Sequence, residues 1–428
     1  MSSFSSVPQT LAQKLIARAA QRPTVQTGEI VTCHVDLAMF HDSSGPRRLK
    51  PMLEQLGADV WDKSRIVLVM DHYVPEQDDD SRKIVQIARD WAKAQQLPHV
   101  YDSLGICHVV LPQKGHIHPG LFCVGGDSHS PTGGAFGAYM FGIGSTEMLG
   151  VMVTGQIWVR VPETLVMQWN GRLAPGVMAK DMMLHMIGCF GMNGGNYQAI
   201  EFAGTAVSAL SMQERMTLSN MSAELGSQVG LIAPDEVTLE WLAQIGVKNL
   251  TAEAIKTLHT DKDASVTRFE FNAPELAPQV AHPHSPANTH AVSTEPDLGF
   301  DVAYIGACTG AKLQDLQAAA QILKGHKVAP KVQLMVAPAS LQDQQIAERD
   351  GTLDILRRAG AQLLPNACGA CSGYGGSIPE GAKVIATTAR NFKGRMGSAT
   401  AEVYLASPYT VAASALKGFL TDPREVLA

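Results

Sequence analysis

Charge is scarce in this 428-residue chain: Asp, Glu, Lys and Arg together make up 17% of it, and the net charge is -6. No basic footprint marks a nucleic-acid face, and no run of Lys and Arg marks a membrane surface. Neither nucleic acid nor membrane is therefore expected as a partner, and small-molecule chemistry remains. Long apolar runs are missing as well. No stretch reaches the roughly eighteen apolar residues of a spanning helix. The start MSSFSSVPQTLAQKLIARAAQRP lacks the continuous apolar block of a secretory signal, so a cytoplasmic location is expected. Ser and Arg in that start faintly resemble a transit peptide, but Leu11, Leu15, Ile16 and Ala19 fit one face of an amphipathic helix, which is the reading adopted. Seven cysteines in a large intracellular chain do not amount to a disulfide framework, which leaves metal binding or simple burial. The glycine-rich segment 125–144 contains GIGSTE, which lacks the third glycine of a dinucleotide loop. No G-K-S/T follows it, so a phosphate loop is rejected.

What is present reads as α/β. The apolar runs SRIVLVM (64–70), FDVAYIGA (300–307) and KVQLMVAP (331–338) have the composition of strands buried on both faces of a parallel sheet. DDSRKIVQIARDWAKAQQ opens with acidic residues and predicts a helix with Ile84, Ile87, Ala88 and Trp91 on its buried stripe. Alternation of strand, loop and helix means α/β layers, and the length suits two or three domains of about 150 residues each. Five prolines in NAPELAPQVAHPHSPANTHAVSTEP (272–296) predict a linker ahead of a C-terminal domain, with His282, His284 and His290 as solvated residues rather than metal ligands. The expected division is 1–170, 171–285 and 286–428.

The segment PNACGACSGYGG places Cys368 and Cys371 three apart in a glycine-rich turn. Alone, C-x-x-C fits a zinc half-site, a redox dithiol or part of an iron-sulfur cluster. No second pair stands at zinc-ribbon spacing, and no thioredoxin-like context surrounds this one. Among the other cysteines only Cys308 sits at the mouth of a predicted strand, in YIGACTGAKLQDL, where ligands of parallel sheets belong. Cys33, Cys107, Cys123 and Cys189 have apolar surroundings and are expected to be buried thiols. Three thiolates on a cubane cluster would leave one iron open as a Lewis acid.

These and further motifs resemble the aconitase superfamily, and within it the large subunits of isopropylmalate dehydratase and homoaconitase. The pieces run in family order: MDHYVPEQ (70–77), GGDSHSPTGGAFGAYMFGIGSTEM (125–148), NMSAELGSQVGLIAPDE (220–236), GACTGAKLQDLQAAAQILKG (306–325), the C-x-x-C, and ARNFKGRMGSATAEVYLASP (389–408). The resemblance implies three α/β/α domains arranged around a 4Fe-4S cluster held by Cys308, Cys368 and Cys371, with one iron not ligated by cysteine. It implies reversible loss of water from a 2- or 3-hydroxy di- or tricarboxylic acid. Hydroxide is a poor leaving group, so an electrophile must take it and an acid must protonate it. By resemblance His72, oriented by Asp71, is that acid. Asp127 and His129 form a second pair beside the open iron, with His108 a third histidine there and Glu224 next to the same iron. Ser128, Asn220, His41, Arg390 and Arg395 bind substrate, the arginines through planar forks suited to carboxylates. Asn220 and Glu224, four apart, are expected on one helical face.

The chain also departs from the family pattern. Gly310 and Ala389 stand where asparagines are common, and Lys312 stands where isopropylmalate enzymes usually have arginine. The expected substrate is of the 3-isopropylmalate type; a smaller diacid such as maleate, citraconate or 2,3-dimethylmalate is the alternative, ahead of homoaconitate or aconitate. An iron-responsive binding protein and a zinc or redox protein remain open as other classes, and the brown colour of a cluster distinguishes them. Abstraction of a carbon-bound proton needs a base that these motifs do not supply. In the superfamily a serine on an additional mobile domain supplies it, so a separate small subunit is expected as partner.

Overall fold

The structure is a computed structural model, and it describes residues 7–248, 250–294, 298–374 and 378–427. The first six residues of the serine-rich start, Glu295 and Pro296 of the proline-rich stretch, and Gly375 and Gly376 of the cysteine turn lie outside the described residues. Among the described residues, no helix is long and apolar enough to cross a membrane.

Apolar runs without alternation form strands that bury both faces, and three such runs become Ile66–Met70, Val302–Ile305 and Gln333–Val336. The first sheet is parallel and five-stranded, in the order His99–Asp102, Ile66–Met70, Leu37–His41, Phe122–Gly125, Tyr139–Gly142. A parallel four-stranded sheet follows, in the order Val229–Ile232, Ala199–Ala203, Thr164–Asn170, Thr267–Asn272. The third sheet has seven strands, in the order Thr289–Ala291, Gln279–Ala281, Glu402–Ala406, Lys383–Ala386, Val302–Ile305, Gln333–Val336, Gln362–Leu363. Its first two strands run antiparallel to their neighbours and the rest are parallel. A separate ribbon pairs Ile30–His34 with Gln156–Arg160. The change of sheet thus falls before Thr164 and between Asn272 and Gln279, ahead of the division expected at 170/171 and 285/286.

Two expectations need correction. The proline-rich stretch is not a free linker: Gln279–Ala281 and Thr289–Ala291 pair with each other and extend the seven-stranded sheet, and His282 packs edge-on to His290 and Tyr404. Helix Asp79–Gln95, capped by Asp78, buries Val85, Ala88, Trp91 and Ala92, whereas Ile84 is half-buried and Ile87 exposed. The buried stripe is rotated toward Val85 because Trp91 packs against Phe40 and so fixes which side faces the sheet. The N-terminal helix Leu11–Ala19 buries Leu11, Leu15, Ile16 and Ala19, as its periodicity predicts.

Candidate active site

Open parallel sheets bind ligands where the strand order reverses, outside the carboxyl ends of the strands. In the five-stranded sheet the order reverses between Leu37–His41 and Phe122–Gly125. His41 ends one of these strands, the loop Gly126–His129 follows the other, and Asp71 and His72 follow Ile66–Met70 next door. Buried Asp42 fixes that last loop, since its carboxylate accepts the backbone N–H groups of His72 (3.1 Å) and Tyr73 (2.7 Å). Asp71, fully buried, accepts the N–H of Cys107 at 2.7 Å and pairs with His72 Nδ1 at 2.7 Å. The His72 ring is thereby oriented, stacked on His41 with centroids 3.8 Å apart, and its Nε2 lies 3.9 Å from Asp127 Oδ2. Burial pushes the His72 pKa down, but Asp71 foremost, then Asp127 and Asp42, outweigh it and raise the pKa to about 9. His72 is therefore an imidazolium at neutral pH.

The second pair, with His129 Nδ1 3.7 Å from Asp127 Oδ1, has further partners. Asp127 Oδ1 lies 2.8 Å from His108 Nε2 and accepts the backbone N–H of His129 at 2.8 Å, while the His129 ring pairs with Glu224 through Nε2–Oε1 at 2.9 Å. Burial opposes ionisation of Asp127, but His108 overcomes it and holds the carboxyl well below the ordinary range. Asn220 lies in helix Met212–Met221, which ends before Glu224, so the two do not share a helical face. The turns after the helix nevertheless bring Glu224 into the same site.

The seven-stranded sheet has its own reversal, between Val302–Ile305 and Lys383–Ala386. Cys308 follows the first of these strands, after Ala307 in the left-handed region at φ 68°, and Thr387–Arg390 follow the second. After Gln362–Leu363, Cys368 caps the helical turn Gly369–Ser372 and Cys371 lies within it, and the turn is anchored where Cys368 N–H donates to the Asp71 carbonyl at 2.8 Å. Asn220 Nδ2 donates to Cys308 Sγ at 3.2 Å and to Thr132 Oγ1 at 2.8 Å, so this residue supports a thiol. Arg395 Nη2 lies 3.7 Å from Cys371 Sγ; Cys368 and Arg395 draw the Cys371 thiol well below its usual pKa against the opposing effect of burial. Burial and Cys371 push Cys308 up to about 12. Arg390 Nε donates to Glu224 Oε1 at 2.7 Å and Nη1 donates to Ser128 Oγ at 2.9 Å. A cavity of about 150 Å³ joins the two walls, with the three cysteines, Arg390 and Arg395 on one side and His72, His108 and Asp127 among the residues on the other.

The profile of the aconitase family (aconitate hydratase) matches residues 13–418. The chain belongs to the aconitase family. It is an enzyme of the hydro-lyase type and is similar along its length to proteins named 3-isopropylmalate dehydratase large subunit. One from Methanopyrus kandleri is 42% identical over 98% of this chain and 99% of its own. A probable large subunit from Methanothermobacter thermautotrophicus is 41% identical over 97% of this chain and 98% of its own. One from Aquifex aeolicus is 39% identical over 98% of both chains. The solved holo-form of Thermococcus kodakaraensis aconitase X covers 86% of this chain and 88% of its own at 12% identity and TM-score 0.48, a likeness too loose to argue from.

Membership of the aconitase family implies a 4Fe-4S cluster, and the residues at the second crevice fit one. Three thiols converge on one cavity, the Asn220 amide and Arg395 guanidinium already approach two of them, and the buried Tyr304 Oη and Asn220 Oδ1 have no hydrogen-bond partner among the described residues. Cys33, Cys107 and Cys123 are buried as expected, whereas Cys189 is exposed. One contributor carried no sequence signal. Lys180, fully buried, donates from Nζ to the carbonyls of Thr387 and Thr388 at 2.7 Å each and so holds the turn that carries Arg390; burial lowers its pKa to about 8. Lys312 is buried behind the site, where Nζ donates to the Cys308 carbonyl (3.1 Å), Thr217 Oγ1 (3.0 Å) and Asp315 Oδ2 (2.6 Å), and it lines no part of the cavity. Gly310 is explained by its neighbour: a Cβ there would lie 2.2 Å from Thr387 Cβ.

Proposed function

We propose that the protein is the large subunit of a 4Fe-4S hydro-lyase acting on a hydroxy dicarboxylic acid of the 3-isopropylmalate type. The observation that carries this reading is the single cavity in which three cysteines face an acid-base wall of paired His and Asp. Cys308, Cys368 and Cys371 hold the cluster, and when bound it supplies a Lewis acid at an iron without a cysteine ligand. His72, charged at neutral pH and aimed by Asp71, donates its Nε2 proton to the departing hydroxyl. Ser128 and Arg390, already joined, form a carboxylate-binding pair, and Arg390 keeps part of its fork for substrate. Arg395 serves both its neighbouring thiolate and the substrate. Glu224, ionised between His129 and Arg390, keeps one oxygen free to take a proton, since Oε2 has no partner among the described residues. His41 and His108 hold Asp127 in place from two sides.

A separate small subunit completes the site by bringing the base for the carbon-bound proton. Relatives named as large subunits, matched end to end, support this assignment. The test is anaerobic reconstitution with iron and sulfide, then assay with a purified small subunit over 3-isopropylmalate, citraconate, maleate and 2,3-dimethylmalate. Turnover of 3-isopropylmalate only in the presence of the small subunit is expected. Full turnover by the isolated chain removes the partner from the reading, and preference for a smaller diacid moves the substrate.

A further inference from the structure

Two exposed aromatic side chains, Trp158 and Tyr197, line a groove beside the active-site mouth. The ribbon of Ile30–His34 and Gln156–Arg160 pairs Ile30 with Arg160 and Thr32 with Trp158, so Val31, Cys33 and Val159 turn inward while Ile30 and Trp158 turn out together. Trp158 is 67% exposed and Ile30 66%. Tyr197, 62% exposed, follows Asn196 in the left-handed region at φ 57°, where its N–H is tied to the Gly226 carbonyl at 2.8 Å. A bulky residue in that region, with most of its ring in water, gains little from burial to offset the backbone cost.

The placement gives the patch its meaning. Trp158 and Tyr197 line a groove of about 590 Å³ that also takes in Ile143, with Arg160, Glu147 and Glu163 among its charged residues. Tyr197 and Ile143 line the adjoining pocket of about 350 Å³ as well, and that pocket holds Asp127, Ser128 and Arg390. A body seated on Trp158 therefore reaches the catalytic mouth without crossing open surface. Val7, Ile30, Leu56, Ile87, Phe392 and Phe419, also exposed, line none of these grooves. Apolar aromatic anchors surrounded by charges of both signs form the pattern of a protein-protein contact.

We infer that the small subunit docks on this patch, seating an apolar segment between Trp158 and Tyr197 so that its own catalytic group overhangs Ser128 and Arg390. The inference rests on the functional reading given above and adds the location of the partner. The test uses the full chain, reconstituted anaerobically, and a purified 3-isopropylmalate dehydratase small subunit, with affinity measured by sedimentation. The unsubstituted chain and Leu56→Glu are expected to bind equally, Trp158→Glu about a hundredfold more weakly, and Tyr197→Glu about tenfold more weakly. Iron content and melting temperature should stay unchanged in all of them. Hydrogen exchange on the unsubstituted complex needs no variant and should protect residues 156–160 and 195–198. Equal binding by all variants, with no such protection, overturns this docking face and leaves the functional reading intact. No association by the unsubstituted, cluster-loaded chain overturns both. A homodimer that Trp158→Glu disperses, with small-subunit binding unaltered, assigns the patch to a second copy and overturns the inference.

Discussion

At the crevice of the five-stranded sheet the charges are already matched: Asp71 with His72, Asp127 with His108, and His129 with Glu224 brought from the neighbouring turn. At the crevice of the seven-stranded sheet, three thiols stand together with one guanidinium and one amide beside them, and Tyr304 Oη is buried with no partner among the described residues. Both crevices come from the same topological reversal. The difference shows that the fold supplies location and the residues after the strands supply chemistry. One wall is already paired within the chain, and the other gathers thiols that fit a cofactor.

The largest effect expected from breaking this contrast is at the thiol wall. Cys308→Ser, Cys368→Ser or Cys371→Ser should lose iron, sulfide and turnover, and Cys123→Ser should keep all three. If Cys123→Ser loses the iron while Cys308→Ser keeps it, the ligand set is wrong. Exposure to air should then remove most activity from the intact enzyme if, as proposed, one iron lacks a thiolate and is the cluster's least protected corner; ferrous iron and thiol should restore it. Activity indifferent to air and chelators contradicts an open iron. On the other wall, Glu224→Gln should retain iron but lower kcat by about 10²–10⁴, since His129 and Arg390 lose their shared anion. Unchanged kcat removes Glu224 from the chemistry. The smallest effect is in pH dependence. His72, raised to about 9, should keep dehydration flat below that value and let it fall above, and His72→Gln should abolish that limb. The sign for stability is the same. The His72 contribution is full below its unfolded value of about 6.5, and it fades as pH rises through about 9, which melting curves of the two proteins can read.

Strands were legible because continuous apolar runs need both faces covered, and Ile66–Met70 and Val302–Ile305 lie where those runs predict. The proline-rich stretch was misread because local composition says nothing of a distant edge: residues Val280 and Ala281 find hydrogen bonds on Leu405 and Ala406. At the site, motifs brought residues together that the structure also joins, but not all of their partners were legible. Asp127 and His129 are two apart, so the backbone N–H and ring Nδ1 of His129 face the carboxylate at 2.8 and 3.7 Å, while Nε2 turns to Glu224, 95 positions away. Lys180 had no legible role, because its task is to hold two carbonyls 207 and 208 positions along the chain.

Gly310 has a consequence for how the pocket can change. The clash that a Cβ would meet is with Thr387 Cβ, so trimming Thr387 to any residue other than glycine leaves the obstacle in place. With a side chain kept at 387, separation of the two turns relieves it, and those turns carry Cys308 and Arg390. Position 310 thus acts as a spacer between the thiol proposed to hold metal and the guanidinium proposed to hold the substrate carboxylate. A chain with asparagine there must hold them farther apart, and a graded series of Gly310→Ala, Ser and Asn would ask whether the length of the diacid accepted follows that gap.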